Sequence, residues 1–279
     1  PDGEPLEDQL EVVECARQLS VGLYLRWKFP RGEPKELIDN WYLVRQAWNR
    51  ELRAMLNGDR QMFLDSPALC EDAAIRFYDG GCEECQRGPK EQHGKGCTLA
   101  EMNPLWESYA YPSWREVRPL VYYETETVWM DDWIVKDAAA WAKEHVGIIW
   151  VEHPELGVAL ARAAKLPFYG GGEEAHEQIL TEDGKRSIVV SIDAHHKGIN
   201  LQCFNKMLMV QPPSSAVLLE QSVGRAHRSG QNADVVEVYY YLHTTELEHS
   251  LDKARERAKF ASDVLGAPQK LNFGDWATQ

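Results

Sequence analysis

Two arginines stand three residues apart in the stretch "EQSVGRAHRSGQ", residues 220–231, of a chain that is otherwise strongly acidic. The apolar spacing of "SSAVLLEQSVGRAHR", residues 214–228, predicts a helix, and positions i and i+3 share one helical face. Arg225 and Arg228 would then reach one anionic target together, with His227 turned aside, while Gly224 lets another surface come close. A guanidinium fork matches phosphate oxygens and never deprotonates, so the chemistry this pair offers is charge stabilisation in phosphoryl transfer. Ordinary salt bridges on a solvated helix, for instance to Glu220, are the plainer use of the same residues.

A second constellation is "CEECQRGPKEQHGKGC". Cys82 and Cys85 form a C-x-x-C knuckle, and His93 and Cys97 follow in a Gly-rich loop, giving four donors suited to tetrahedral zinc in a structural role. Cys70 is an alternative to His93, and free thiols in a surface insertion are the alternative to a metal.

The elements that must carry these residues change character along the chain. Residues 20–29, "SVGLYLRWKF", read as a strand and residues 35–56 as an amphipathic helix; residues 79–119, dense in Gly, Pro, Cys and Trp, read as an insertion or linker. From about residue 131, short apolar strands alternate with amphipathic helices, which predicts βαβ crossovers and a parallel sheet. The strand segments are residues 146–153, 167–170, 187–193, 206–211 and 235–243. A last helix is expected from Thr245, where Thr-Glu-Leu-Glu matches a capping box, until Gly266 and Pro268 stop it. The aromatic-rich stretch at residues 103–133 reads as packing of the accessory region against the α/β half, since few Lys or Arg interleave it, and "KARERAK" reads as the solvated face of the last helix.

"QSVGRAHRSGQ" resembles motif VI of the superfamily-two helicases and translocases, close to the Swi/Snf-type form Q-A-x-D-R-A-H-R-I-G-Q. Gln221, Arg225, Ala226, His227, Arg228, Gly230 and Gln231 match; Gly224 stands in place of Asp and Ser229 in place of Ile. "SIDAHHKGINLQ" is similar to motif V of that family through Ser191, Ala194, Gly198, Asn200 and Leu201, whereas His195 and His196 replace paired glycines. "GIIWVEH" and "PFYGGGEEAHEQI" resemble the motif IV region, and "VEVYYYLHTTELEHSLDKARERAKF" resembles the strand and helix that close the second lobe, so the likeness covers about residues 131–265.

The resemblance implies an α/β fold, a RecA-like parallel sheet flanked by helices, in residues 131–279. Residues 1–130 form an accessory or interlobe region with a strand, a helix and the Cys-rich insertion. It implies Arg225 and Arg228, with Gln221, as groups that act on ATP, and Gly198, Asn200 and Gly224 beside the nucleotide. Ser191, His195, His196, Lys197 and Gln202 would meet the DNA backbone, the two imidazoles as donors to phosphate. ATP and Mg2+ would be held mainly by a first helicase lobe, in cis or in trans, because this sequence has no G-x-x-x-x-G-K-[ST] loop. "HGKGCT" has Gly96 where a hydroxyl is needed, and "EEAH" follows a glycine turn instead of a strand, so both are chance likenesses.

Composition sets wide bounds on this reading. A length of 279 residues with 44% hydrophobic content suits a globular protein, and a net charge of -14 confines any nucleic-acid contact to a local patch. No apolar run is long enough to span a bilayer, and six cysteines do not suggest a secreted disulfide framework, so a soluble, cytoplasmic protein is expected. "SVGLYLRW" onward resembles the interlobe region of helicases encoded by bacteriophages, which implies a bacterial or phage-infected host. The expected function is the C-terminal lobe of an ATP-dependent DNA helicase or translocase, inactive alone. The alternative is a non-catalytic nucleic-acid or protein interaction module built on such a lobe.

Overall fold

The computed structural model describes residues 9–57, 109–267, 269–272 and 274. In chain order the elements are α1 (Gln9–Leu19), β1 (Leu23–Lys28), α2 (Lys35–Asn57), α3 (Tyr111–Val117), β2 (Glu124–Trp129), α4 (Trp133–Glu144), β3 (Ile148–Val151), α5 (Pro154–Ala164), β4 (Phe168–Tyr169) and α6 (Glu173–Ile179). They continue with β5 (Ile188–Ser191), the single turn α7 (Ile192–His195), β6 (Lys206–Met209), α8 (Ala216–Val223), β7 (Glu237–Tyr240), α9 (Thr245–Leu265) and a 3-10 turn at Lys270–Asn272. The described residues fall into two compact units, divided between Arg26 and Trp27 and again between Thr125 and Glu126.

The unit that contains the arginines is built on a five-stranded parallel sheet, in the order β4-β5-β3-β6-β7. β3 is central, with Ile148 opposite both Ile188 of β5 and Met207 of β6. Strand side chains alternate between faces, and here both faces are apolar, so the strands read as continuous hydrophobic runs. Ile148, Trp150, Ile188, Val190, Met207 and Met209 pack with α8, α9 and Leu271 on one face. Ile149, Val151, Val189, Leu208 and Val210 pack with α4 and α5 on the other. This is the expected α/β class, a parallel sheet flanked by helices.

Buried polar bonds fix α1 to this sheet. Arg17 is 7% exposed and pairs with Glu152, just past β3, while its Nη1 donates to Ser250 Oγ of α9 at 2.8 Å. The Arg17 carbonyl accepts from Gln211 Nε2 at 3.0 Å, and His243 Nε2 donates to the Ser20 carbonyl at 2.7 Å. Nothing in the residue spacing of α1 signals these contacts.

The second unit, within residues 27–125, buries aromatic rings on one another. Trp41, Trp48, Tyr111 and Trp114 are nearly inaccessible, Trp27 stacks on Tyr42 with centroids 5.7 Å apart, and the Arg45 guanidinium lies 4.3 Å from the Trp27 ring centre. Glu51 accepts from the amides of Tyr109 and Ala110, capping the start of α3. These described aromatics pack among themselves, with Trp27 already covered by an arginine.

Two local expectations need correction. The last helix is capped by Thr244, whose hydroxyl accepts from the Leu247 amide, so the residue at the capping-box position is Leu247 and no reciprocal glutamate bond forms. The helix expected through residue 228 ends at Val223. The Arg225 carbonyl, which a continuing helix would offer to residue 229, instead accepts from the Leu201 amide at 2.9 Å. The two arginines therefore lie in the turn after α8 and do not share a helical face.

Gly147 shows how closely the sheet is packed at the start of β3. A Cβ there would sit 2.5 Å from the Lys206 carbonyl oxygen of β6 and 2.9 Å from the Trp141 ring. Because backbone cannot swing aside, Gly147→Ala is expected to destabilise the protein by about 2 kcal/mol, read as a lower denaturation midpoint in urea.

Candidate functional site

The segment likened to motif V leaves the end of β5 and crosses towards the start of β6, and on the way it meets the turn likened to motif VI, which follows α8. Ser191 is the last residue of β5, only 5% exposed, and it opens the turn α7. The following loop, residues 196–205, runs beside the turn that carries Arg225 and Arg228. Three side-chain or main-chain bonds join the two. Arg225 Nη1 donates to the Ile199 carbonyl at 2.8 Å, and the Leu201 amide donates back to the Arg225 carbonyl. Gln231 Nε2 donates to the Phe204 carbonyl at 2.7 Å and also, within its own motif, to Ala226 at 3.2 Å. Gly230, at φ +93, lies against the Gln202 side chain, where a Cβ would come within 3.0 Å of Nε2.

The two arginines differ in what they do. Arg225 is 8% exposed, and its Nε also donates to the Gln221 carbonyl at 2.9 Å. Burial, and next the charge of Arg228, pull its pKa below the ordinary guanidinium value, yet a group that starts so high remains a cation. Arg228 is exposed, and among the described residues its guanidinium has no hydrogen-bond or ion-pair partner. Glu220, five residues before Arg225, accepts from the Leu271 amide. Gln221 keeps a buried Oε1 with no partner among the described residues. Gly224 is approached by Lys270, whose Nζ would be 3.1 Å from an added Cβ.

The motif V histidines also divide. His195 is 1% exposed and its Nε2 is 2.6 Å from the Gly170 carbonyl, which can only accept, so Nε2 carries the proton. Its ring stacks on His176 of α6 with centroids 5.9 Å apart and planes 15° apart. The expectation that both imidazoles face phosphate is thus not what the structure places there: His195 is turned inward, because the chain coils into α7 where paired glycines would leave an open loop. His196 is half-buried with Nδ1 on the Ile192 carbonyl at 2.9 Å, and Lys197, Gly198 and Asn200 are exposed, Gly198 at φ +80. Gln202 is half-buried against Gly230.

The residues expected to hold zinc, Cys82, Cys85, His93 and Cys97, and the alternative Cys70, lie outside the described residues. Among the described residues no group of three or more His, Cys, Asp or Glu side chains is arranged to hold a metal, and no helix is long and apolar enough to cross a membrane. Glu220, expected as an ordinary ion-pair partner of the arginines, accepts instead from the Leu271 amide, and Lys270, which bonds the His227 carbonyl, has no signal in the sequence because it falls beyond the Gly266 and Pro268 stop.

Residues 171–230 match the family model of the helicase conserved C-terminal domain, a stretch that contains both arginines and the loop that Arg225 grips. A 107-residue segment is 34% identical to the uncharacterized ATP-dependent helicase YqhH of Bacillus subtilis, covering 37% of this chain and 19% of that protein. An 89-residue segment is 32% identical to the DNA repair protein RAD5 of Candida albicans, covering 32% of this chain and 8% of that protein. The matched segments thus span a fifth or less of these relatives. The crystal structure of the C-terminal part of the Fun30 ATPase domain aligns over 91% of this chain and 86% of its own at 14% identity, with a TM-score of 0.38, too low to relate individual residues.

Two outcomes are expected here. Arg225→Met strands the Ile199 and Gln221 carbonyls and is expected to lower stability by about 1–3 kcal/mol in chemical denaturation, with Arg225→Lys recovering little because one ammonium cannot serve both. Burial, opposed by the Gly170 bond and aided by His176, lowers the His195 pKa from its usual 6.5. The unfolded chain therefore takes up the proton first, so stability is fully present above about pH 6.5 and falls as pH drops through the depressed value, by at most about 1.4 kcal/mol per pH unit. The difference in urea midpoint between pH 7.5 and 5.5 is expected to shrink in His195→Gln.

Proposed function

We propose, from the premise that residues 131–265 are a Swi/Snf-like superfamily-two C-terminal helicase lobe, that this chain completes the ATP site of a DNA helicase or translocase. The observation that carries the proposal is the division of labour in the arginine turn: Arg225 is held by backbone carbonyls, and Arg228 presents an exposed guanidinium that nothing described neutralises. A fixed loop with a free cation at its tip suits a group that reaches across to another lobe. Arg228 is therefore the arginine finger. Arg225 sets its position and adds positive potential from behind, and Gln221, four residues earlier, offers its main-chain carbonyl to Arg225.

The donor set present fits a phosphate chain but cannot hold one alone. Bound ATP, with Mg2+ on a Walker A-bearing lobe, would supply the phosphoryl group whose developing charge the arginines oppose. In this chain, Gly198, Asn200 and Gly224 line the loops beside the arginines, and Ser191, Lys197 and Gln202 belong to the segment proposed to meet the DNA backbone. Lys197 is the exposed cation there, a point charge suited to phosphate without base preference. His196 keeps Nδ1 on backbone and so can offer only Nε2, while His195 supports the loop from within. Because the same loop bonds to Arg225, a shift of the DNA-facing segment moves the arginine turn with it.

The division at residue 130 into an accessory region and a lobe is part of this proposal, with α1 and the first four residues of β1 belonging to the lobe's compact unit. Zinc in the Cys-rich insertion stays a proposal of the same kind, checked by metal analysis of the purified protein. The alternative, a non-catalytic interaction module, accounts for Arg225 as a structural residue, but gives no use to an unneutralised Arg228.

Joined to a Walker A-bearing lobe, the chain is expected to hydrolyse ATP when DNA is added, and alone to show no activity. Arg228→Ala should lower the joined rate by about 10³-fold while changing the chain's own stability by less than about 0.5 kcal/mol. Undiminished hydrolysis in that variant overturns the proposal.

A further inference from the structure

Past the end of α9, the chain turns back across the arginine loop. Gly266, at φ +64, ends the helix, and residues 269–272 then lie over α8 and the turn that follows it. Three consecutive side chains or amides of this strap are engaged. Lys270 Nζ donates to the His227 carbonyl at 3.0 Å, between the two arginines. The Leu271 amide donates to Glu220, and its side chain, 7% exposed, enters the core cluster that contains Leu219, Val223 and Ala226. Asn272 Nδ2 donates to the Ala258 carbonyl of α9 at 3.1 Å.

Each contact bears on Arg228. The ammonium bond fixes the peptide immediately before Arg228, where the helix has ended and backbone bonding is short-range. The Glu220 carboxylate, five residues before Arg225, is engaged by the Leu271 amide and not by either arginine. Gly224 leaves room for the ammonium: a Cβ there would meet Lys270 Nζ at 3.1 Å and the Glu220 carbonyl at 3.0 Å.

We propose that residues 269–272 act as a strap that positions the Arg228 loop, with Lys270 a positioning residue for hydrolysis that touches neither nucleotide nor DNA. This rests on the reading of Arg228 as the finger. Release of the strap loosens the loop and slows the chemical step without weakening ATP binding, which gives any partner of the C-terminal segment a handle on the rate.

Two measurements test this on the same variants. Hydrogen exchange on the chain as it stands reads the amides of residues 225–228. In Lys270→Met these are expected to exchange about tenfold faster, with amides of β3, β5 and β6 unchanged, and in Lys270→Arg to return towards the parent rate. In the joined, DNA-stimulated enzyme, Lys270→Met is expected to lower kcat about tenfold with KM for ATP within about twofold, and Lys270→Arg to restore it. Unchanged exchange at 225–228, exchange that rises throughout the sheet, or an undiminished kcat each overturn the proposal. Arg228→Ala run alongside separates the two levels: if it abolishes activity while Lys270→Met does not, the strap alone fails, and if it leaves activity intact, the finger reading fails first.

Discussion

One buried guanidinium holds two loops in register. Arg225 sits where α8 has ended and the segment after β5 has not yet become β6, so neither ladder nor helix supplies the backbone bonds that both loops need. Its two donations, to Gln221 and to Ile199, and the return bond from the Leu201 amide supply them. A neutral side chain of similar size would leave those carbonyls unpaired, at a combined cost of about 1–3 kcal/mol. The interaction is stronger than a neutral hydrogen bond because the donor is charged, and burial reduces its screening by solvent.

The rest of the unit is arranged so that this small polar junction sits on something rigid. Apolar strands covered on both faces give the sheet, and α8 presses Leu219 and Val223 onto it just before the turn. The Arg17 and Glu152 pair fixes α1 from the other direction, and the strap at residues 269–272 closes over the turn itself. With these constraints in place, Arg228 is left exposed by the fold and not by looseness, since Ala226, two residues before it, is fully buried. That contrast between a clamped arginine and a presented one is what the functional reading draws on.

Much of this was legible in the residue pattern, and the failures have identifiable causes. The parallel sheet announced itself through strands too apolar to have a wet face, and all five fall within the segments marked for them. Helical periodicity overran at residue 228 because apolar spacing cannot register that a carbonyl is taken by a loop from elsewhere in the chain. For the same reason spacing gave the two arginines one shared role. The cap of α9 fell one residue earlier than expected, where two adjacent threonines offer the same chemistry and only geometry chooses. His195 reads as a donor to phosphate because it stands where the resembled motif has glycine, whereas one turn of helix after Ser191 sends its ring inward against His176. Lys270 had no local signal at all, since its partner lies 43 residues away.

The most direct test is a high-resolution structure of this chain joined to a Walker A-bearing lobe, with ADP and beryllium fluoride in the cleft. The expected result is an Arg228 guanidinium nitrogen at about 3 Å from the fluoride while Arg225 Nη1 still rests on the Ile199 carbonyl. Arg228 left in solvent with the cleft closed, or Arg225 withdrawn from Ile199 to meet the nucleotide, would contradict the division of roles between the two.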